Sequence, residues 1–246
     1  MAQPYEGDSS QQNQPGILGR NSADGVGVNG ESDGGRGVAG FSKTWQGVYG
    51  FSDSNAGVVG ESNGLDGVWG ISNSKQHAGV SGHNGAGGLA GSFDGGVHVT
   101  GDLMVDGDVS LTNADIAEDF DVANPALETG TVLCVGDDER LRPCSREYDT
   151  RVVGVVCGGG DFRPGIILNR NRTEAARVPV ALTGRAYCMA DATSAPIRPG
   201  DQLTTSATVG HAMRAEPSRA PGAVVGKALR SLLNGRGLIP VLVTLQ

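Results

Sequence analysis

Apolar and polar positions follow three successive patterns along this chain. The first repeats every ten residues. Gly27-Val28-Asn29-Gly30-Glu31-Ser32 is followed by Gly37-Val38-Ala39-Gly40-Phe41-Ser42 and Gly47-Val48-Tyr49-Gly50-Phe51-Ser52. Gly57-Val58-Val59-Gly60-Glu61-Ser62 and Gly67-Val68-Trp69-Gly70-Ile71-Ser72 continue the set. A slipped copy follows at Gly79-Val80-Ser81-Gly82, and a degenerate one precedes at Gly16-Ile17-Leu18-Gly19. A fixed period means stacked units in contact with their neighbours, so residues 16–96 are read as an elongated shaft. Glycine every three or four residues disfavours helix and suits tight corners, so short strands joined by Gly corners are expected.

Ten residues are too few for a full coil of a single-chain solenoid. Two geometries remain: two repeats per coil, or one side of a three-chain prism with Val28, Val38, Val48, Val58, Val68 and Val80 facing a shared axis. The trimeric prism is favoured, because three backbones crowding an axis leave room only for small residues. A calcium-binding nonapeptide solenoid is rejected. It needs Asp in each unit, and this unit has Ser32, Ser42, Ser52, Ser62 and Ser72, whose hydroxyls suit turns that bond their own backbone.

The second pattern begins at 97. Val97-His98-Val99-Thr100-Gly101-Asp102-Leu103-Met104-Val105-Asp106-Gly107-Asp108-Val109-Ser110-Leu111 largely alternates apolar and polar, the period-two strand signal. Gly-Asp corners six residues apart predict three short strands stepping around one axis, and residues 97–120 are read as a neck and junction.

The third pattern, over 121–246, predicts a compact β-barrel or β-sandwich of about eight strands. Thr131–Val135 leads into a turn at Gly136–Glu139, and Leu141 returns. Val152–Cys157 reads as a buried strand, and Arg177–Met189 alternates well. Pro199-Gly200 signals a type II turn, and Leu203–Met213 folds over at Val209-Gly210. Asn234-Gly235 between two apolar runs signals a hairpin, with Pro240 placing one strand at an edge or bulge. Only Thr173–Ala176 offers a helical turn. The fold class is therefore all-β: an intertwined or stacked β-repeat shaft followed by a terminal β-domain.

Composition sharpens this picture. Aromatic residues make up 4% of the 246 positions and 41 are Gly, too little bulk for one ordinary core. Residues 1–112 hold 4 Lys/Arg against 12 Asp/Glu and the remainder 15 against 15, so all of the net charge of −8 lies on the repeat half. That acidity argues against nucleic acid as a partner and fits anionic lipid poorly. No apolar run reaches the length of a membrane span. Met1–Gln14 lacks the basic and apolar blocks of a signal peptide. Residues 1–15, rich in Gln, Ser and Asn, read as a flexible attachment arm.

Candidate chemistry is sparse. Cys134, Cys144, Cys157 and Cys188 make no C-x-x-C pair, which speaks against zinc. They are expected to be reduced, buried thiols acting as small hydrophobes. His77, His83 and His98 lack metal-ligand spacing and read as surface residues. Trp45, Tyr49 and Trp69 are candidate target contacts in the shaft, against the plainer reading of packing between chains. No cofactor is indicated.

The ordered combination resembles trimeric phage tail-fibre and neck-appendage proteins, and domains of phage-derived bacterial particles. It comprises Gly-rich repeats, V-x-V-x-G-D-L-x-V-x-G-D-V strands, the junction Ala114-Asp115-Ile116-Ala117-Glu118-Asp119-Phe120 and a terminal β-domain. The segments V-V-G-V-V, V-A-L-T-G-R-A-Y, P-G-D-Q-L-T-T-S, G-H-A-M-R-A and V-G-K-A-L carry the likeness over most of residues 113–246. The resemblance implies a non-enzymatic homotrimer with a structural or receptor-binding role. The arm would dock on a baseplate or neck, and the target would be a cell-surface glycan or receptor. Synthesis in the cytoplasm and a place on a virion or released particle follow from the same likeness. Some neck appendages carry an autoproteolytic terminal chaperone domain opening with a similar D-x-A-E junction, which maps onto Asp115 and Glu118 as self-cleavage candidates. Solvated acids capping a turn are the plainer reading, since no Ser-His or Ser-Lys arrangement is visible. A free bacterial carbohydrate-binding surface protein is a further alternative.

Overall fold

A computed structural model describes residues 7–10, 14–113, 115–170 and 176–245. The chain divides into two compact units, residues 1–98 and 99–246. Much of the attachment arm, and most of the helical turn expected at Thr173–Ala176, lie outside the described residues.

In the repeats, each G-V-x-G quartet is joined to the next by a bend. The two ends of each bend meet glycine against glycine. A Cβ added to Gly50 would sit 2.3 Å from the Gly57 carbonyl oxygen and 2.5 Å from a Val58 methyl. The reverse contact, from Gly57 to the Gly50 oxygen, would be 2.7 Å. The same pairing recurs at Gly30/Gly37, Gly40/Gly47, Gly60/Gly67 and Gly70/Gly79. The repeat glycines are therefore required by backbone approach, as well as by bend geometry.

The serines close the bends. Ser32, Ser42, Ser52 and Ser62 each accept, through Oγ, the backbone N–H three residues on: Gly35, Trp45, Asn55 and Leu65, at 2.9 to 3.1 Å. This is the hydroxyl-to-backbone turn expected of Ser in place of an acid.

The repeats do not form the expected short strands. Among the described residues of 14–98 there is neither strand nor helix. Two backbone–backbone hydrogen bonds occur there, Gly25 N–H to the Ala23 carbonyl and Gly87 N–H to that of Asn84. The peptides of the quartets therefore have no ladder partner among the described residues. The three stepping strands expected at 97–111 are likewise not formed. Leu103, Met104 and Val109 are exposed there. Alternation supplies side chains for two faces, but a ladder also needs a neighbouring strand.

The second unit is all-β. Its strands are β1 (Asp115–Asp121), β2 (Val132–Val135), β3 (Leu141–Pro143), β4 (Val152–Val156) and β5 (Pro164–Leu168). They continue with β6 (Arg177–Asp191), β7 (Gln202–Thr205), β8 (Ala212–Arg214), β9 (Val224–Ala228) and β10 (Arg236–Thr244). The 15-residue β6 is the spine. Its first half pairs with β1 on one side and β4 on the other, extending to β5 and to β2–β3. Its second half pairs with β10 and, through Ala190 and Ala212, with β8. The order β6-β8-β7-β9-β10 then returns to β6, closing a small barrel that has no free edge. Val225, Leu203, Ile239, Val241, Val243 and Cys188 fill it. A second core, with Leu133, Leu141, Val156 and Val180, lies under the flanking strands.

The expected turns fall into place. Gly200 takes φ 91° and Asp201 N–H donates to the Arg198 carbonyl (3.1 Å), the turn read from Pro199-Gly200. Gly210, at φ 71°, turns β7 into its antiparallel partner β8. Pro240 departs from expectation, because β10 is flanked by both β6 and β9 and is not an edge. It sits just beyond the end of β9, where its carbonyl accepts the Leu229 N–H (2.9 Å) and no ladder donor is missed.

The cysteines require a correction. Cys134 of β2 and Cys144, just past β3, form a disulfide across the hairpin, with Cα atoms 5.1 Å apart. The spacing of ten residues carried no such signal, because the pairing depends on the β2–β3 register. Cys157 and Cys188 remain free and buried, as expected.

Candidate functional site

Two places hold the residues that the sequence singles out. The first is the surface of the repeats. Val28, Val38, Val48, Val58, Val68 and Val80 are each 68–71% exposed, a near-identical value at every step. Each lies against the first glycine of the preceding bend, as Val58 does at Gly50 and Val48 at Gly40. The row is built by repetition, since the four successive bends that begin at Ser32, Ser42, Ser52 and Ser62 are closed by the same Ser hydroxyl contact and the same kind of Gly pair. Trp45, Tyr49 and Trp69 are also exposed, at 80%, 76% and 78%. Trp45 sits in a bend, its N–H donating to Ser42 Oγ. Tyr49 and Trp69 hold equivalent third positions of their quartets. No ring contact joins any of the three to another among the described residues. Chemically this surface offers apolar area and open backbone groups.

The second place is the start of the terminal unit. Asp115 opens β1 and is buried. Its Oδ2 accepts a hydrogen bond from Cys157 Sγ at 3.2 Å, while Oδ1 has no hydrogen-bond partner. Burial raises the Asp115 carboxyl above the usual carboxylate range, against the lowering effect of the Cys157 hydrogen bond. Burial, followed by the negative charge of Asp115, pushes the Cys157 thiol far up, so it is inert as a nucleophile. Beside Asp115 lies a cavity of about 290 Å³, also lined by Leu111, Asn113, Ile116, Gly165 and Thr183.

Glu118 is not part of this arrangement. Residues 115, 117 and 119 of β1 face inward, and 116, 118 and 120 face the other way. Glu118 is half-buried on that opposite face, in register with Val180 of β6 and Leu168 of β5. The carboxylate sharing the inner face with Asp115 is Asp119. Odd spacing along a strand separates two side chains, a fact available only once residues 115–121 are known to be extended. Cys157 was not singled out as a neighbour of Asp115, and no local signal could have found it across 42 residues. His77, His83 and His98 join no cluster, for no group of three metal-ligating side chains occurs among the described residues.

No protein-family model and no curated protein matches the chain. Among solved structures it is similar to the pre-mature bacteriophage phi29 gene product 12, with 14% identity and a TM-score of 0.45. That match covers 59% of this chain and 24% of the other, so the chain spans about a quarter of the protein it resembles. It is also similar to the phi29 gene product 12 C-terminal fragment, with 15% identity, a TM-score of 0.37, and 53% and 100% of the two chains covered. The head fiber gp8.5 N base of the same phage gives 16%, 0.28, and 53% and 90%. At these TM-scores the likenesses carry no conclusion about this chain.

Proposed function

We propose that this chain is a non-enzymatic fibre of a phage tail or phage-derived particle, working as a homotrimer. Its N-terminal arm attaches to the particle, the repeats project as a shaft, and the terminal β-domain registers the chains and presents a target-binding surface. Three weak sites held together bind far more tightly than one.

The observation that carries the reading is the valine row. Six valines at about 70% exposure, each beside quartet peptides that have no backbone partner among the described residues, form an apolar row that gains from being covered. Covering each valine recovers roughly 1 kcal/mol or more, and neighbouring strands give the open N–H and C=O groups a ladder. A second copy of the same repeat supplies both at matched spacing. Three chains, rather than two, suit the glycine content, as argued above from crowding at an axis. Light scattering on the full-length protein tests this: a mass three times the 25.1 kDa of one chain is expected. A monomer mass overturns the reading and revives a single-chain solenoid.

A further inference from the structure

Strands β9, β7 and β8 lie side by side in the barrel wall. At one end they frame a cleft of about 690 Å³ whose lining includes Tyr148, Asp201, Gln202, Arg214, Glu216 and Lys227. Gln202 opens β7 and faces Lys227 of β9 in register, and Arg214 ends β8. Three rigid elements thus fix three donor side chains around one hollow.

The rim is held by Tyr148. This residue sits at φ 52°, a left-handed conformation that strains a bulky side chain. Three contacts hold it there. Its N–H donates to the Thr205 carbonyl (3.3 Å), its hydroxyl accepts the Glu216 N–H (3.0 Å), and the Arg219 guanidinium lies 4.0 Å over its ring. Strain of this kind, paid at the edge of a cleft, points to a placed wall.

The charges in the cleft are unequally engaged. Asp201 Oδ2 already accepts the Arg198 N–H at 2.8 Å, and Glu216 Oε1 accepts the Ser218 hydroxyl at 3.2 Å. The side chains of Arg214 and Lys227 make no hydrogen bond or ion pair among the described residues. The cleft therefore offers two free cations, an amide, and one uncommitted oxygen on each acid. Donors and acceptors alternating around a polar hollow suit a ligand whose groups both donate and accept, as sugar hydroxyls do. Arg214 and Lys227, which neither Asp201 nor Glu216 engages in an ion pair, are placed to take a negative charge on that ligand.

We propose that this cleft binds a saccharide bearing an acidic group, with Arg214 and Lys227 taking the acid and Gln202, Asp201 and Glu216 taking hydroxyls. The acid is a sugar carboxylate or a phosphodiester between sugar or polyol units. This site gives the target-binding half of the proposed function a location, and rests on it. It does not depend on the number of chains.

The test is calorimetric titration of the full-length protein with tetragalacturonate, with a three-unit glycerol-phosphate oligomer and with neutral maltotetraose. Light scattering on the same samples separates a failed assembly from a failed site. At least one acidic oligomer binds saturably, maltotetraose binds at least about tenfold more weakly, and added salt weakens the acidic ligand. Arg214→Gln and Lys227→Gln each weaken it by about tenfold, the loss of one charge-assisted hydrogen bond. The charge-keeping Lys227→Arg retains binding. Which acidic oligomer binds identifies the source of the charge. The proposal is overturned if neither acidic oligomer saturates, if maltotetraose binds equally well, or if the double Gln variant binds like wild type at an unchanged melting temperature.

Discussion

Asp191→Ala removes a carboxylate that four donors share. Asp191 ends β6 and is 3% exposed. Its Oδ1 accepts Thr193 N–H (2.9 Å) and the Thr193 hydroxyl (2.6 Å). Its Oδ2 accepts the Thr208 hydroxyl (2.5 Å) and Arg236 Nε (3.3 Å). The group ties the end of β6 to the next loop, to the β7–β8 turn and to the start of β10. Burial alone would raise its pKa, but the Thr193 and Thr208 hydrogen bonds and the Arg236 charge outweigh that and hold it well below the usual carboxylate range. A hydrogen bond to a charged group contributes about 1.5–3 kcal/mol. Thr193 is exposed, so water replaces part of what it loses, and the exposed Arg236 adds under about 1 kcal/mol. Asp191→Ala is therefore expected to cost about 2–4 kcal/mol. Asp191→Asn keeps Oδ1 for Thr193 and is expected to cost about 1–2 kcal/mol. Urea unfolding followed by circular dichroism, at fixed protein concentration, reads both. Because the folded pKa is depressed, this stabilisation is fully present above the unfolded value of about 3.9 and is lost as pH falls through the folded pKa. The gap between wild type and Asp191→Asn is then constant at neutral pH and shrinks below about pH 4. An Ala variant within 0.5 kcal/mol of wild type, roughly the scatter of neutral surface changes, would refute the reasoning, as would a gap that does not narrow in acid.

Four further outcomes are expected. Gly50→Ala places its methyl 2.3 Å from a carbonyl oxygen, whereas Gly64→Ala meets nothing within 4 Å; the first is expected to lower the melting temperature of the repeats and the second to leave it unchanged. Native protein resists iodoacetamide at pH 8, because burial pushes the Cys188 thiol up to about 12 and Cys157 higher still. After denaturation without reductant, two thiols react per chain, and reducing Cys134–Cys144 costs roughly 2–3 kcal/mol of stability for a loop of this length. On a denaturing gel the purified full-length chain runs as one band, and a clean split near residue 113 would instead establish self-cleavage.

Legibility differed between the two halves for a physical reason. In the terminal unit, local signals determine local events. The alternation of Arg177–Met189, the apolar run at Val152–Cys157 and the turns at Gly200 and Gly210 each coincide with an observed element. What local signals cannot carry is pairing across distance. The Cys134–Cys144 bond, the Cys157–Asp115 contact and the closure of β10 onto β6 all depend on register. In the repeats the period was legible, and so was the role of Ser32, Ser42, Ser52 and Ser62 in closing bends. The strands were not, because a quartet such as Gly47–Gly50 has no ladder partner among the described residues. Asp115 and Glu118, the two junction acids, lie on opposite faces because residues 115–121 are extended. Spacing three apart joins side chains on a helix and separates them on a strand.

The central claim is that other copies of the chain cover the valine row. Val58→Cys places a small thiol on that row, and Leu65→Cys places one in a bend at a side chain that is 90% exposed. The rate of alkylation by a water-soluble maleimide, measured for both in the native protein, decides the matter. Covered valines predict that Cys at 58 reacts at least about tenfold more slowly than Cys at 65, and that the difference vanishes on unfolding. Equal rates in the native protein would mean that the row faces water, and the fibre account would be wrong.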